Sequence, residues 1–127
     1  MQDRFKFRVW DKTKEIMVYF DGIFYNKKPY TEGSSFPQYD SCPHYHKLSD
    51  LMQSTGLKDK NSKLIYEGDI VKIFHVSGTM QGKYFFDVIE WNDLRCRFET
   101  KNYGIIDDDD IYEVIGNIYE NSELPKE

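Results

Sequence analysis

The sequence predicts a single all-β domain over residues 1–127, and three observations carry that expectation. Apolar residues alternate with polar ones in short runs, the period-two pattern of strands with one buried face. Gly, Asn, Asp and Pro separate the runs at turn-like intervals. The chain also carries ten Tyr, nine Phe and two Trp, residue types that suit half-buried pleated surfaces. No amphipathic helix of three turns is visible, and residues 47–54 hold at most one short turn. At 127 residues the chain is long enough for a real core.

The first strand is read from Phe5, Phe7 and Val9 alternating with Lys6, Arg8 and Trp10. A turn at Asp11-Lys12-Thr13-Lys14 leads to a second run, Ile16, Val18 and Phe20, so the two make a hairpin. Asp21-Gly22 turns the chain again before Ile23-Phe24-Tyr25. Residues 26–47 break the pattern. Pro29, Pro37 and Pro43 fall among Asn, Gly and Ser, and proline cannot donate to a sheet ladder, so one long irregular loop is expected there.

Residues 51–74 concentrate the local signals. Gly56 marks a sharp change of direction, because glycine takes positive φ without steric cost. The polar hexapeptide Lys58–Lys63 separates two apolar runs, a hairpin signature, with Asn61 as the candidate for positive φ. Glu67-Gly68-Asp69 then bends the chain, and the Asp69 carboxylate is placed to accept nearby backbone amides. In the strand that follows, Val71 and Ile73 form one face and Ile70, Lys72 and Phe74 the other, a pattern that suits burial mainly on one face.

Downstream, residues 76–83 form a loop with two glycines, and Tyr84 to Trp91 forms a strand. A turn at Asn92-Asp93 precedes Arg95, Arg97 and Glu99, which alternate with Cys96, Phe98 and Thr100; the second set is expected to face inward. Asn102-Tyr103-Gly104 turns once more, and Ile111 to Tyr119 is the last strand, with Gly116 as a bulge.

Three blocks carry a resemblance. Phe7-Arg8-Val9-Trp10-Asp11, the run TGLKDKNSKLIYEGDIV at 55–71 and VIGNIYENSEL at 114–124, with Ile89-Glu90-Trp91 between them, resemble the YopX family of phage and prophage proteins. The long middle block is the specific one, and together the blocks span almost the whole chain. The resemblance implies an all-β, partly open barrel with one long irregular loop. It implies no known reaction and no catalytic residues to carry over. One departure stands at the hairpin tip, where the family commonly has Asn-Gly and this chain has Asn61-Ser62.

Composition narrows the function classes. Net charge is −5, yet residues 1–106 carry +2 and residues 107–127 carry −7. No apolar run approaches the ~18 residues of a membrane span, and Arg4, Lys6 and Arg8 stand where a signal peptide is apolar. A cytoplasmic protein without membrane contact is therefore expected, and the resemblance to phage and prophage proteins implies a bacterial host. Cys42 and Cys96 are read as two free thiols.

Candidate chemistry is sparse. Cys42, His44 and His46 offer zinc-ligand types without a usual ligand spacing, and are read as a polar loop. Asp107 to Asp110 lack the alternating pattern of a calcium loop and are read as a solvated turn. No G-x-S-x-G, H-E-x-x-H or glycine-rich phosphate loop is present. No catalytic, cofactor-binding or metal-ligating residue is assigned, no cofactor is expected and the chain is not read as an enzyme.

The leading expectation is a protein-interaction module, a phage or prophage accessory protein that self-associates through a sheet edge or an aromatic patch, with its protein partner unidentified. The aromatic load motivates it, since so many rings are hard to bury in a small barrel. The alternative is a single-stranded nucleic-acid binder using aromatics on a basic face. A small hydrolase, the third class, requires a pocket that assembles His and Asp residues. The candidate interaction surface is Trp10, Lys58, Lys60, Lys63, Tyr66 and Lys72.

Overall fold

A computed structural model describes residues 5–12, 14–20, 22–23, 29–30, 51–106 and 110–121. The architecture is all-β, with antiparallel sheets of which one is a half-barrel, and no α-helix occurs among the described residues. The chain divides into two compact units, Met1–Gly56 and Leu57–Glu127.

In the first unit, β1 (Phe7–Asp11) and β2 (Ile16–Phe20) form the expected hairpin, with Val9 opposite Val18 and Phe7 opposite Phe20. The turn closes through a 2.8 Å bond from Glu15 N to Asp11 O, and Asp11 Oδ1 accepts Lys14 N at 3.1 Å. On its other side β1 pairs with the start of β5 (Met52–Lys58), Arg8 opposite Met52. Val9 and Phe20 are the buried centre, with Val18 and Leu51 packed against them. Two short strands, β3 (Gly22–Ile23) and β4 (Pro29–Tyr30), pair with each other, the second inside the stretch expected to be irregular. Most of residues 26–47, Cys42, His44 and His46 among them, lies outside the described residues.

Two expectations about 47–58 are corrected here. Met52 begins a strand, not a helical turn, and Gly56 takes its positive φ of 84° inside β5 instead of reversing the chain.

The second unit holds β6 (Leu64–Tyr66), β7 (Asp69–Phe74), β8 (Tyr84–Asn92), β9 (Arg97–Thr100), β10 (Gly104–Ile105) and β11 (Ile111–Asn117). The end of β5 and β6 make the predicted hairpin, and the other five strands lie in the order β10-β9-β8-β7-β11. The register between β7 and β11 shifts between Val114 and Gly116, the bulge expected at that glycine. Ile65, Val71, Ile73, Ile89 and Tyr112 form the core, with Ile106 and Val114 packed against it. Ile70 is buried as well, so β7 is covered on both faces over its first half.

Four further corrections concern single residues. Positive φ at the hairpin tip falls on Ser62 (65°), not Asn61. Cys96 is exposed and lies in the β8–β9 turn at φ 51°, while Glu99, expected outside, is buried. The inward face of β9 therefore starts at Thr100 and does not reach back to Cys96. Asp110 is no solvated turn residue: its carboxylate sits 2.9 Å from His75 Nδ1.

Candidate functional site

Buried carboxylates fix the corners that position the surface. Asp59 Oδ1 accepts the backbone N–H groups of Asn61 and Lys63 at 2.8 and 2.9 Å, and Oδ2 accepts that of Val114 at 2.9 Å. Burial raises its pKa, but those three donors and the Lys63 charge outweigh it and hold the carboxyl below its ordinary value. Lys60 N also donates to Tyr112 O at 2.9 Å. The hairpin tip thus engages two outward backbone groups, Tyr112 O and Val114 N, of β11, the edge strand of the sheet. Asp69 Oδ2 accepts Tyr66 N at 2.8 Å, and Asp87 accepts Asn102 N and Nδ2 at 2.7 and 3.0 Å.

The expected surface residues separate. Lys58, Lys60 and Lys63 are exposed around the tip, with Lys60 Nζ 3.5 Å from Glu113. Trp10 is half-buried on β1 of the first unit. Tyr66 is corrected: it is only 7% exposed, because both residues of β6 next to the Glu67-Gly68 bend are drawn into the core, so it offers no stacking surface. Lys72 is half-buried, its ammonium 4.5 Å from the centroid of the Tyr84 ring.

What the register assembles instead is an aromatic face. Ile111 stands opposite Phe74 and Phe74 opposite Tyr84, a row across β11, β7 and β8. These side chains are 42%, 38% and 54% exposed. The next row on that face is Glu113, Lys72 and Phe86, and the Tyr84 and Phe86 rings meet edge-on at 5.8 Å. A cleft of about 220 Å³ opens there, lined by Lys60, Lys72, Phe74, Ile111 and Glu113. A neighbouring cleft of about 240 Å³ shares Lys60 and Ile111 and has an apolar floor that includes Leu57, Ile65 and Tyr112.

His75 and Asp110 meet at the wall of a third cleft, about 330 Å³, with Ser77, Thr79 and Thr100 among its lining. An ionised carboxylate only accepts, so Nδ1 carries the hydrogen in that bond. The imidazole packs edge-on against Phe85 at 5.3 Å, and its Nε2 is shut from solvent without a hydrogen-bond partner. The pair ties the β7 exit to the β11 entry. Among the described residues no group of three or more His, Cys, Asp or Glu is placed to hold a metal ion.

A family model described as YopX protein matches residues 6–126. The chain belongs to the YopX family. The crystal structure of protein EF1440 from Enterococcus faecalis is similar over 94% of this chain and 96% of its own, at 26% identity and a TM-score of 0.58. The crystal structure of YopX from Bacillus subtilis is similar over 97% and 99%, at 21% identity and a TM-score of 0.53. No functionally curated protein matches the sequence. The YopX fold is thereby established for this chain. Its aromatic face was not visible in the sequence, because Ile111, Phe74 and Tyr84 become neighbours only through the pairing of three strands. No helix among the described residues is long and apolar enough to cross a membrane.

Proposed function

We propose that this YopX-family chain is a non-enzymatic phage or prophage accessory protein that works as a protein-interaction module and self-associates. The observation that carries the reading is the exposed row Ile111–Phe74–Tyr84 with clefts on either side of Ile111. Contiguous apolar surface rimmed by charge is the usual mark of a protein interface. The sheet edge at β11 is not the route, since the hairpin tip already engages it.

Single-stranded nucleic-acid binding is the weaker reading. Its lysines remain exposed, but Tyr66 is buried and Lys72 lies over the Tyr84 ring that a base would stack on. Light scattering over a concentration series tests the proposal. The expected mass rises above the 15.2 kDa protomer, and Phe74→Glu with Tyr84→Glu returns it to the protomer value. A steady 15.2 kDa mass removes self-association. A gel shift with a single-stranded oligonucleotide that fades steeply with salt moves the assignment to nucleic acid.

A further inference from the structure

The loop of residues 76–83, between β7 and β8, folds back on itself. Gln81 N donates to Gly78 O at 3.2 Å, Lys83 N to Met80 O at 3.0 Å, and Gly82 N to His75 O at 2.8 Å. This loop supplies part of the lining of the 330 Å³ cleft, and Ile73, Thr100 and Tyr112 of the sheet supply more. The volume lies at the small end for a ligand pocket and suits a small molecule or a single side chain.

Asp110 is the one carboxylate in that lining. Its side chain is only 10% exposed, yet just one of its oxygens is engaged: Oδ2 meets His75 Nδ1 at 2.9 Å. Oδ1 has no hydrogen-bond donor among the described residues and keeps contact with solvent. A largely buried carboxylate is stabilised by every donor that reaches it. No Lys or Arg lines the cleft. Lys83 stands opposite His75 in the hairpin, but it is exposed and is not in the lining. His75 offers the cleft no second polar atom, since its Nε2 is shut from solvent. Beside Asp110 the lining holds the hydroxyls of Ser77 and Thr79, neither bonded to another described residue, and the apolar surfaces of Ile73 and Met80.

That set complements an alkylammonium. An –NH3+ group brings three donors and no acceptor, and here it meets a carboxylate oxygen and hydroxyl oxygens. A guanidinium fits less well, because its fork takes both carboxylate oxygens and Oδ2 is already engaged. A methylene stem packs along apolar surface while its charged head is solvated or paired. Tyr103, in the same lining and 4.9 Å from the Phe85 ring, adds an aromatic surface of the kind cations favour.

We propose that the 330 Å³ cleft binds a primary alkylammonium group, with Asp110 Oδ1 as its counter-ion and the Ser77 and Thr79 hydroxyls as its further acceptors. Two sources share this chemistry, the lysine side chain of a protein partner and a free alkyl diamine. The Ile111–Phe74–Tyr84 row contributes no residue to this cleft, so the site stands or falls separately from self-association through that face.

Methyl-group NMR spectra of the full chain test it, recorded at about pH 8, above the ordinary histidine range. The probes are cadaverine, Nα-acetyl-lysine methylamide and, as the neutral control, n-pentanol. Saturating shifts of the Ile73, Thr79 and Met80 methyls are expected with both amines and not with the alcohol. Asp110→Asn keeps an acceptor for His75 Nδ1 and removes the charge, and is expected to weaken binding by at least about tenfold. Ser77→Ala combined with Thr79→Val leaves the His75–Asp110 bond in place and is also expected to weaken it. Melting checks that each variant folds, and if Asp110→Asn does not, the double variant decides. Saturation by only one amine keeps the site and identifies its source, a protein lysine or a free amine. No saturable shifts, equal shifts with n-pentanol, or undiminished affinity in the variants overturns the proposal, whatever light scattering shows of self-association.

Discussion

Asp59 organises more of the molecule than its place in a polar hexapeptide implies. One buried carboxylate receives three backbone N–H groups, two from its own turn and one from a strand 55 residues further on. Asp59→Ala strands those donors in a buried place, which costs on the order of 2–4 kcal/mol. Asp59→Asn is the sharper probe. Its single carbonyl oxygen serves either the turn or Val114, and its amide then faces a donor on the other side. Asparagine is thus expected to recover only part of the loss, as read by urea denaturation. Full recovery by asparagine shows that charge and the third bond contribute nothing. Ser62 makes the opposite case. It holds φ 65°, a conformation costing an L-residue about 1 kcal/mol that glycine avoids. Ser62→Gly is expected to raise stability by up to that amount, and a lower melting temperature contradicts it.

At the scale of elements, the hairpin between β5 and β6 works as a cover for an edge strand. β11 has a sheet partner on one side only, yet Tyr112 O and Val114 N on the other side are both engaged by the tip. Hydrogen exchange is expected to show the Val114 amide protected to nearly the level of β7, although it lies on the sheet's outer strand. In Asp59→Ala that protection should collapse while β7 amides stay slow. Uniform loss across both strands instead means that the substitution unfolds the unit and does not merely uncover an edge. The hairpins themselves were legible in the sequence, because alternation and turn residues are local. The β1–β2 hairpin, the Gly68-Asp69 bend and the Gly116 bulge all sit where the residues point. What failed was the assignment of single side chains. Tyr66 looks like a surface ring from alternation alone, but two-sided packing of a three-residue strand buries it. Cys96 seems to continue the β9 alternation, but the turn extends past it. The aromatic row and the His75–Asp110 pair depend on registers between distant strands, and no local pattern encodes a register of that range.

For the whole molecule, the engaged carboxylates set the response to acid. Asp59 is held below its ordinary pKa as described. Glu99 is held below its own first by the Asn92 amide, then by the Arg97 guanidinium, with Arg95 adding a longer-range attraction. A carboxyl whose folded pKa lies below its unfolded value binds protons more readily when the chain unfolds. Its stabilisation is complete above the unfolded pKa and disappears as pH falls through the folded one. The ordinary values are 3.8 for Asp59 and 4.5 for Glu99, so the melting temperature is expected to be insensitive to these two groups at neutral pH. It should begin to fall as pH passes below those values. Asp59→Asn and Glu99→Gln each remove one titrating group, and each should start lower at neutral pH and lose less on acidification. The two sites are separate, one at the β5–β6 tip and one on β9 beside the β8–β9 turn, so the double variant should show both reductions in slope added together. An acid slope as steep in the double variant as in the wild type places the acid sensitivity on other carboxyls.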